Sequence, residues 1–243
     1  MILLFDIGNT SIKMATVKDN KIVKRYVFST QLLVKSDDFY LMILPLLSTH
    51  QFKKAAIASV VPSKTIELKK MLQEHFDLEP LIVEQGIKTG VKIVADNPLE
   101  VGADIICASA LYESALIIDL GTAIKYLYID KNALLGVIIG PGLETSLKAL
   151  TDNTALLPNV EIKVPKTVLG RNTVHCMQSG LTYGMASQIE GMISKIEQEI
   201  KKEVPVYITG GYAEVIYPLI NKNIKYIHNL VLEGLLKILN KNS

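Results

Sequence analysis

An apolar run that ends in aspartate and opens into a glycine turn occurs twice in this chain. Phe5-Asp6-Ile7-Gly8-Asn9-Thr10 closes the run that starts at Ile2, and Ile118-Asp119-Leu120-Gly121-Thr122-Ala123 closes another near the middle. A short continuous apolar run bounded by turn residues reads as a buried strand. Each strand therefore delivers a carboxylate into a tight turn lined with hydroxyl and amide groups, the chemistry that holds phosphates and their cations. Beyond the turns, Ile12-Lys13 and Ile124-Lys125 recur with a one-residue slip and lead into further apolar segments. The chain reads as a duplicated unit with a phosphate-sized cleft between its halves.

With 243 residues and 49% hydrophobic content the chain is ample for a well-buried core, as two domains rather than one. The formal charge is +2, and Lys and Arg are spread along the chain rather than gathered in blocks, so no nucleic-acid footprint is expected. Apolar runs are too short to cross a bilayer, and Met1 leads straight into Ile2-Leu3-Leu4 with no basic stretch ahead and no cleavage site behind. Cys107 and Cys176 stand in no paired motif, which suggests neither a disulfide framework nor a thiolate metal site. A soluble protein of a reducing compartment is expected.

Periodicity and turn residues predict strands over 1–6, 12–17 and 22–28, with Asp19-Asn20 as a turn, then a helix over 37–47. A strand over 55–61 stops at Pro62, Ser63 is expected to cap a helix running through Met71 to His75, and Leu81 to Val83 is a short strand. A helix is expected over 100–114. The second half repeats the order with strands over 115–119, 124–129 and 134–139, the turn Asp130-Lys131-Asn132, and a helix after Pro141-Gly142. A long helix over 180–201, a strand over 204–209, and helices around 213–220 and 230–239 follow. Three strands, then helix and strand in alternation, written twice, is the order of paired ribonuclease-H-like α/β domains, here 1–114 and 115–243.

The first turn suits phosphate work. Gly8 lets the backbone approach a ligand, Asn9 and Thr10 offer neutral donors, Asp6 can hold Mg²⁺ through water, and Lys13 can neutralise a phosphate. An ordinary β-hairpin turn with an Asx cap is the plainer reading, which the second turn at Asp119 disfavours. Asp104, in Val101-Gly102-Ala103-Asp104, is either a helix-start charge complementing the dipole or a general base. Gly140-Pro141-Gly142 and Thr209-Gly210-Gly211 are turns on which adenosine or phosphate can lie flat, though such loops are common. There is no Walker lysine pattern, no Rossmann fingerprint and no nucleophile elbow. His50, His75, His175 and His228 have no ligand spacing, and the tyrosines are assigned to packing.

Taken in order along nearly the whole chain, these segments resemble the type III pantothenate kinases, within the acetate and sugar kinase, heat-shock protein 70 and actin superfamily of actin-like ATPase folds. The resemblance also draws on Asn97-Pro98, Thr154-Ala155-Leu156-Leu157-Pro158, Gly170-Arg171-Asn172-Thr173 and Ser179-Gly180. It implies duplicated ribonuclease-H-like domains flanking a nucleotide cleft, and ATP-dependent phosphorylation of pantothenate, the first step of coenzyme A biosynthesis. It implies that Asp6, Ile7, Gly8, Asn9, Thr10, Ser11, Ile12 and Lys13 bind ATP phosphates with Mg²⁺, that Thr122 contacts ATP, and that Gly210 and Gly211 belong to the nucleotide site. Asp104 would take the proton of the pantothenate hydroxyl, and Gly102, Ala103, Asp104 and Ile105 would line the substrate pocket. Asp119 would hold a monovalent cation, K⁺ or NH₄⁺, and Thr173 would reach the substrate across the interface of a cytoplasmic homodimer.

Three positions depart from the family pattern. Ile105 stands where Arg is usual, Ala95-Asp96 where a Tyr is common, and Lys125 where Thr is usual. Lys125 either points into the cleft, where it would substitute for some of the missing Arg charge, or lies on the surface; a strand lysine is more often solvent-facing, which favours the surface slightly. The lost Arg motivates a second reading, a nucleotide-binding regulatory homologue with weakened catalysis. A third is a kinase for another small hydroxylated acid or amide.

Overall fold

The computed structural model of the protein describes residues 1–47 and 51–243, so His50 lies outside the described residues. In chain order the elements are β1 (Ile2–Ile7), β2 (Ser11–Lys18), β3 (Lys21–Ser29), α1 (Ser36–Leu47), β4 (Lys54–Ser59), α2 (Pro62–Phe76), β5 (Leu81–Ile82), β6 (Lys92–Ile93) and α3 (Ala103–Ser109). They continue as β7 (Ala115–Leu120), β8 (Ala123–Asp130), β9 (Ala133–Pro141), α4 (Leu143–Asp152), α5 (Thr173–Ile200), β10 (Val206–Thr209), α6 (Ala213–Ile216), β11 (Ile224–Tyr226) and α7 (Leu230–Lys241). Two compact units form, residues 1–112 with 229–243, and residues 113–228. The last helix thus belongs with the first unit, although a division into linear halves puts it in the second.

In the first unit the strand order is β3-β2-β1-β4-β5, with β1, β2 and β3 antiparallel and β1, β4 and β5 parallel. The second unit repeats it as β9-β8-β7-β10-β11, with the same senses. This is the ribonuclease-H-like order written twice, as the duplicated turns lead one to expect. The repetition reaches into detail. Asp19 and Asn20 join β2 to β3 with both φ angles positive, and Lys131 and Asn132 do the same between β8 and β9, the backbone of a tight hairpin turn that matches strand twist. Each hairpin also carries a register shift, at Thr16/Val17 and at Tyr128/Ile129.

Central strands explain the cores. Leu3, Phe5 and Ile7 of β1 pack with Phe39 and Ile43 of α1 and with Leu68 and Leu72 of α2. Leu116, Ile118 and Leu120 of β7 pack with Met185 and Ile189 of α5 and with Ile208 of β10. Both central strands are buried on both faces, which is why they read as unbroken apolar runs. Among the described residues no helix is long and apolar enough to cross a membrane.

Several boundaries differ from the sequence expectation. The long helix α5 starts at Thr173 rather than at 180, because the Asn172 side chain accepts the His175 N–H at 2.9 Å and caps it. The helix expected over 100–114 is shortened to α3: Asn97 caps a separate 3-10 turn, Pro98–Glu100, and Val101 and Gly102 are extended. Ser63 is not the cap of α2, which begins on Pro62 with Val61 at the capping position. Pro218 turns the end of the helix expected over 213–220 into a 3-10 segment, Tyr217–Leu219. Strands β6 and β11 were not foreseen, each having only two or three residues.

The return of α7 to the first unit depends on Gly234, where an added Cβ would overlap the carbonyl oxygen of Cys107 in α3. We expect Gly234→Ala to destabilise the protein by about 3 kcal/mol, the range of overpacked cores, measured as a lowered midpoint in urea unfolding.

Candidate active site

In the first unit Asp6 and Lys13 face one another across the β1–β2 ladder. Directly opposed residues share a face of the sheet, and Lys13 Nζ lies 3.2 Å from Asp6 Oδ2. The turn between them is tied down: Gly8 N–H donates to the Ser11 carbonyl at 2.9 Å, and the Thr30 hydroxyl donates to the Gly8 carbonyl at 2.7 Å. Asn9 and Thr10 are exposed at its tip, and Ser11 is half-buried. Ile7 and Ile12 have their side chains in the core, so only their backbone is offered to a ligand.

Asp104 is brought to the end of β1 by a chain of contacts. The Val60 N–H, just past β4, donates to the Ile7 carbonyl at 3.0 Å. A Cβ on Gly102 would lie 3.1 Å from Val60 Cγ1 and 2.7 Å from Asp104 Oδ1, so a side chain at 102 would meet both. Asp104 Oδ1 accepts the N–H of Ile105 at 2.9 Å, which realises the helix-start role without excluding the chemical one. Cys107 lies one turn further along α3 and is buried. Burial pushes its thiol well up, and the negative charges of Asp6 and of Asp104 push it further. Two carboxylates from separate segments thus act on one sulfur. Ala103 and Ile105 are both buried, Ile105 with 8% of its surface exposed.

The second unit repeats the strand-end pair. Asp119 faces Lys125 across β7 and β8, with Lys125 Nζ 3.1 Å from Asp119 Oδ2 and the two side chains 16% (Lys) and 12% (Asp) exposed. The expectation of a solvent-facing Lys125 is therefore corrected: the carboxylate opposite it holds the ammonium in. The one-residue slip seen in the sequence is absorbed by turn length, so the same pair forms in both units. Around this turn backbones lie almost in contact. A Cβ on Gly142 would overlap the Gly121 carbonyl, and one on Gly210, whose φ is +110°, would overlap the backbone of Leu120. Thr122 is exposed; its carbonyl accepts from Gly142 N–H at 3.0 Å and from the Thr145 hydroxyl at 2.7 Å.

Tyr212, assigned to packing by sequence, donates its hydroxyl to Glu144 Oε1 at 2.6 Å, and burial together with that carboxylate pushes it up to about 12. Its place directly after Gly210-Gly211 was the available signal. It borders a cavity of about 640 Å³ that Glu144, Lys148, Thr151 and Asp152 also line, a size common for small-molecule sites. Thr173 is exposed at the start of α5. His75 is a satisfied surface residue, 2.9 Å from Asp37 and stacked on Tyr40; Asp37, Glu74 and His75 form a cluster of possible metal ligands that sequence spacing did not suggest.

Residues 2–195 match the sequence profile of the type III pantothenate kinase family. The chain is 42% identical to a type III pantothenate kinase of Acholeplasma laidlawii, over 100% of this chain and 99% of that protein. It is 37% identical to one from an Exiguobacterium species, with 100% and 99% covered. Among solved structures it is similar to an inorganic polyphosphate/ATP-glucomannokinase from Arthrobacter, with TM-score 0.51 and 15% identity over 98% of each chain. It is also similar to component A of (R)-2-hydroxyglutaryl-CoA dehydratase from Acidaminococcus fermentans, with TM-score 0.55 and 12% identity over 100% and 99%. At such identities the structures speak for the fold.

The two thiols are placed so differently that their reactivity tests the geometry. Because the thiolate is the reactive form, we expect Cys107, followed alone in a Cys176→Ser variant, to react with a disulfide reagent only as the protein unfolds. Prompt reaction in the folded variant would place Cys107 wrongly.

Proposed function

This chain belongs to the type III pantothenate kinase family and is an ATP-dependent kinase of pantothenate in coenzyme A biosynthesis, and we propose that Asp104 is its general base. The observation that supports the roles is the tie between the two segments: the Val60 N–H holds the Ile7 carbonyl just past Asp6, and a Cβ on Gly102 would meet both Val60 and Asp104. One acid ends a strand beside a phosphate-sized turn, and the other starts a helix beside it.

The hydroxyl oxygen of pantothenate attacks the γ-phosphorus, its proton passes to Asp104, and the bond from that phosphorus to the β–γ bridging oxygen breaks to release ADP. Such transfer needs positioning and charge neutralisation more than covalent help, and in a loose transition state the alcohol loses its proton late, so a carboxylate suffices. Lys13 neutralises phosphate charge, Asn9 and Thr10 donate hydrogen bonds to phosphate oxygens, and Thr122 with Gly210 and Gly211 takes the nucleotide. Gly102, Ala103 and Ile105 line the pantothenate pocket, where Ile105 offers an apolar wall in place of a donor. Asp6 is held by Lys13 much as Asp119 is by Lys125, but the triphosphate gives Lys13 a second anion to pair with; Mg²⁺ brought in on the phosphates would then be held by the Asp6 carboxylate through water and add positive charge there. The set at Asp119 does not suit a free monovalent cation, because Lys125 already holds that carboxylate.

We assign the protein to a homodimer of the cytoplasm. Three glycines of α5, Gly180, Gly184 and Gly191, are exposed and have nothing within 4 Å of an added Cβ. Each weakens a lone helix by about 0.5–1 kcal/mol relative to alanine. Close approach of the same helix from a second copy accounts for all three, and two-fold pairing is the commonest closed arrangement. Leu156 and Leu169, 90% and 85% exposed, supply apolar surface for the same contact. Thr173, at the start of that helix, would then reach the partner's substrate.

Two results are expected. Asp104→Asn should lower turnover about 10²–10⁴-fold in a coupled ADP-release assay, with the circular dichroism spectrum unchanged; turnover near the unsubstituted rate would remove Asp104 from the role. Gly184→Leu should give a folded monomer in light scattering after size exclusion, since a side chain there blocks the approach; a dimer that persists would move the interface elsewhere.

A further inference from the structure

We infer that Lys125 is a built-in replacement for the monovalent cation, so that phosphate transfer by this protein needs neither K⁺ nor NH₄⁺. The inference rests on the reading of Asp119 as the cation-holding carboxylate. Its grounds lie in the geometry of the β7–β8 ladder. Asp119 and Lys125 are directly opposed, their charged atoms are 3.1 Å apart, and both side chains are largely withdrawn from water. A lysine head group is an alkylammonium, with the same single charge and hydrogen-bond donors as NH₄⁺, and here it is tethered one strand away from its carboxylate. Tethering makes the association intramolecular, at an effective concentration of millimolar or above on flexible linkers, and higher on a fixed strand.

A free cation approaching Asp119 meets a neutralised carboxylate and a like charge beside it. At an effective dielectric of about 20 and a separation of about 4 Å, that repulsion weakens cation binding on the order of 10²–10³-fold. The arrangement is not an isolated accident of one side chain. Lys13 takes the same place against Asp6 in the first unit, at 3.2 Å and across the same pair of strands, so the duplicated fold provides this position for a lysine in both units. In the second unit Lys125 supplies fixed positive charge at Asp119, where a threonine could supply none.

The test pairs kinetics with direct ion binding. Initial rates with ATP and pantothenate should stay flat as KCl or NH₄Cl replaces tetramethylammonium chloride at constant ionic strength. Lys125→Met, which keeps the stem and removes the charge, should lose on the order of a hundredfold in rate without K⁺ and regain most of it with K⁺ or NH₄⁺. Thallium(I), a K⁺ mimic followed by its own NMR signal, should show no saturable binding to the unsubstituted protein and saturable binding to Lys125→Met or, should that variant not fold, to Lys125→Gln. Strong activation of the unsubstituted protein by K⁺, or saturable thallium binding to it that K⁺ displaces, would overturn the inference. Equal, cation-indifferent rates for Lys125→Met would overturn it too. A protein that transfers no phosphate to pantothenate under any salt would count against the kinase reading instead, and thallium binding would still decide between Lys125 and a free ion.

Discussion

Both units depend on a carboxylate held at the end of a fully buried strand by a lysine directly across the ladder. Asp6 and Asp119 are among the few buried charged side chains of the described chain, and each has its ammonium on the neighbouring strand. A buried carboxylate without such a partner is costly, and removing one member of a pair is strongly destabilising. The pairs therefore limit what the strand ends can be. They set two paired acids at the edge of apolar cores, beside turns whose glycines are closely approached by backbone.

Around those pairs the remaining structure is largely support. Gly142 and Gly210 allow three strand ends to meet at Leu120–Thr122, where any side chain would collide with backbone. In the first unit α7 packs on α3 through Gly234 and so fixes the helix that carries Asp104. The thiol of Cys107 is buried in α3, and burial, with the negative charges of Asp6 and Asp104, holds its pKa well up. The geometry asks for no reactive side chain beyond a base, in keeping with phosphoryl transfer, where alignment and charge carry most of the catalysis.

Much of this was legible because its signals are local. Apolar runs, aspartate–glycine turns and the hairpin residues Asp19-Asn20 and Asp130-Lys131-Asn132 each name a strand or a turn within a few residues, and the strand order followed from their repetition. What was missed depends on partners distant in sequence or on a single hydrogen bond. The start of α5 lies in an exposed stretch with no apolar period, and only the Asn172 cap reveals it. The allegiance of α7 is decided by residues more than a hundred positions away. Lys125 looked like a surface lysine because register with Asp119 is a property of the sheet. Tyr212 looked like packing because its acceptor, Glu144, belongs to another helix.

The most direct test of the account is phosphorus NMR of the purified protein with ATP, Mg²⁺ and pantothenate. A phosphomonoester resonance coupled to the methylene protons of pantothenate, growing in step with ADP, is the predicted result. ATP consumed only to inorganic phosphate, or not consumed at all, would contradict it.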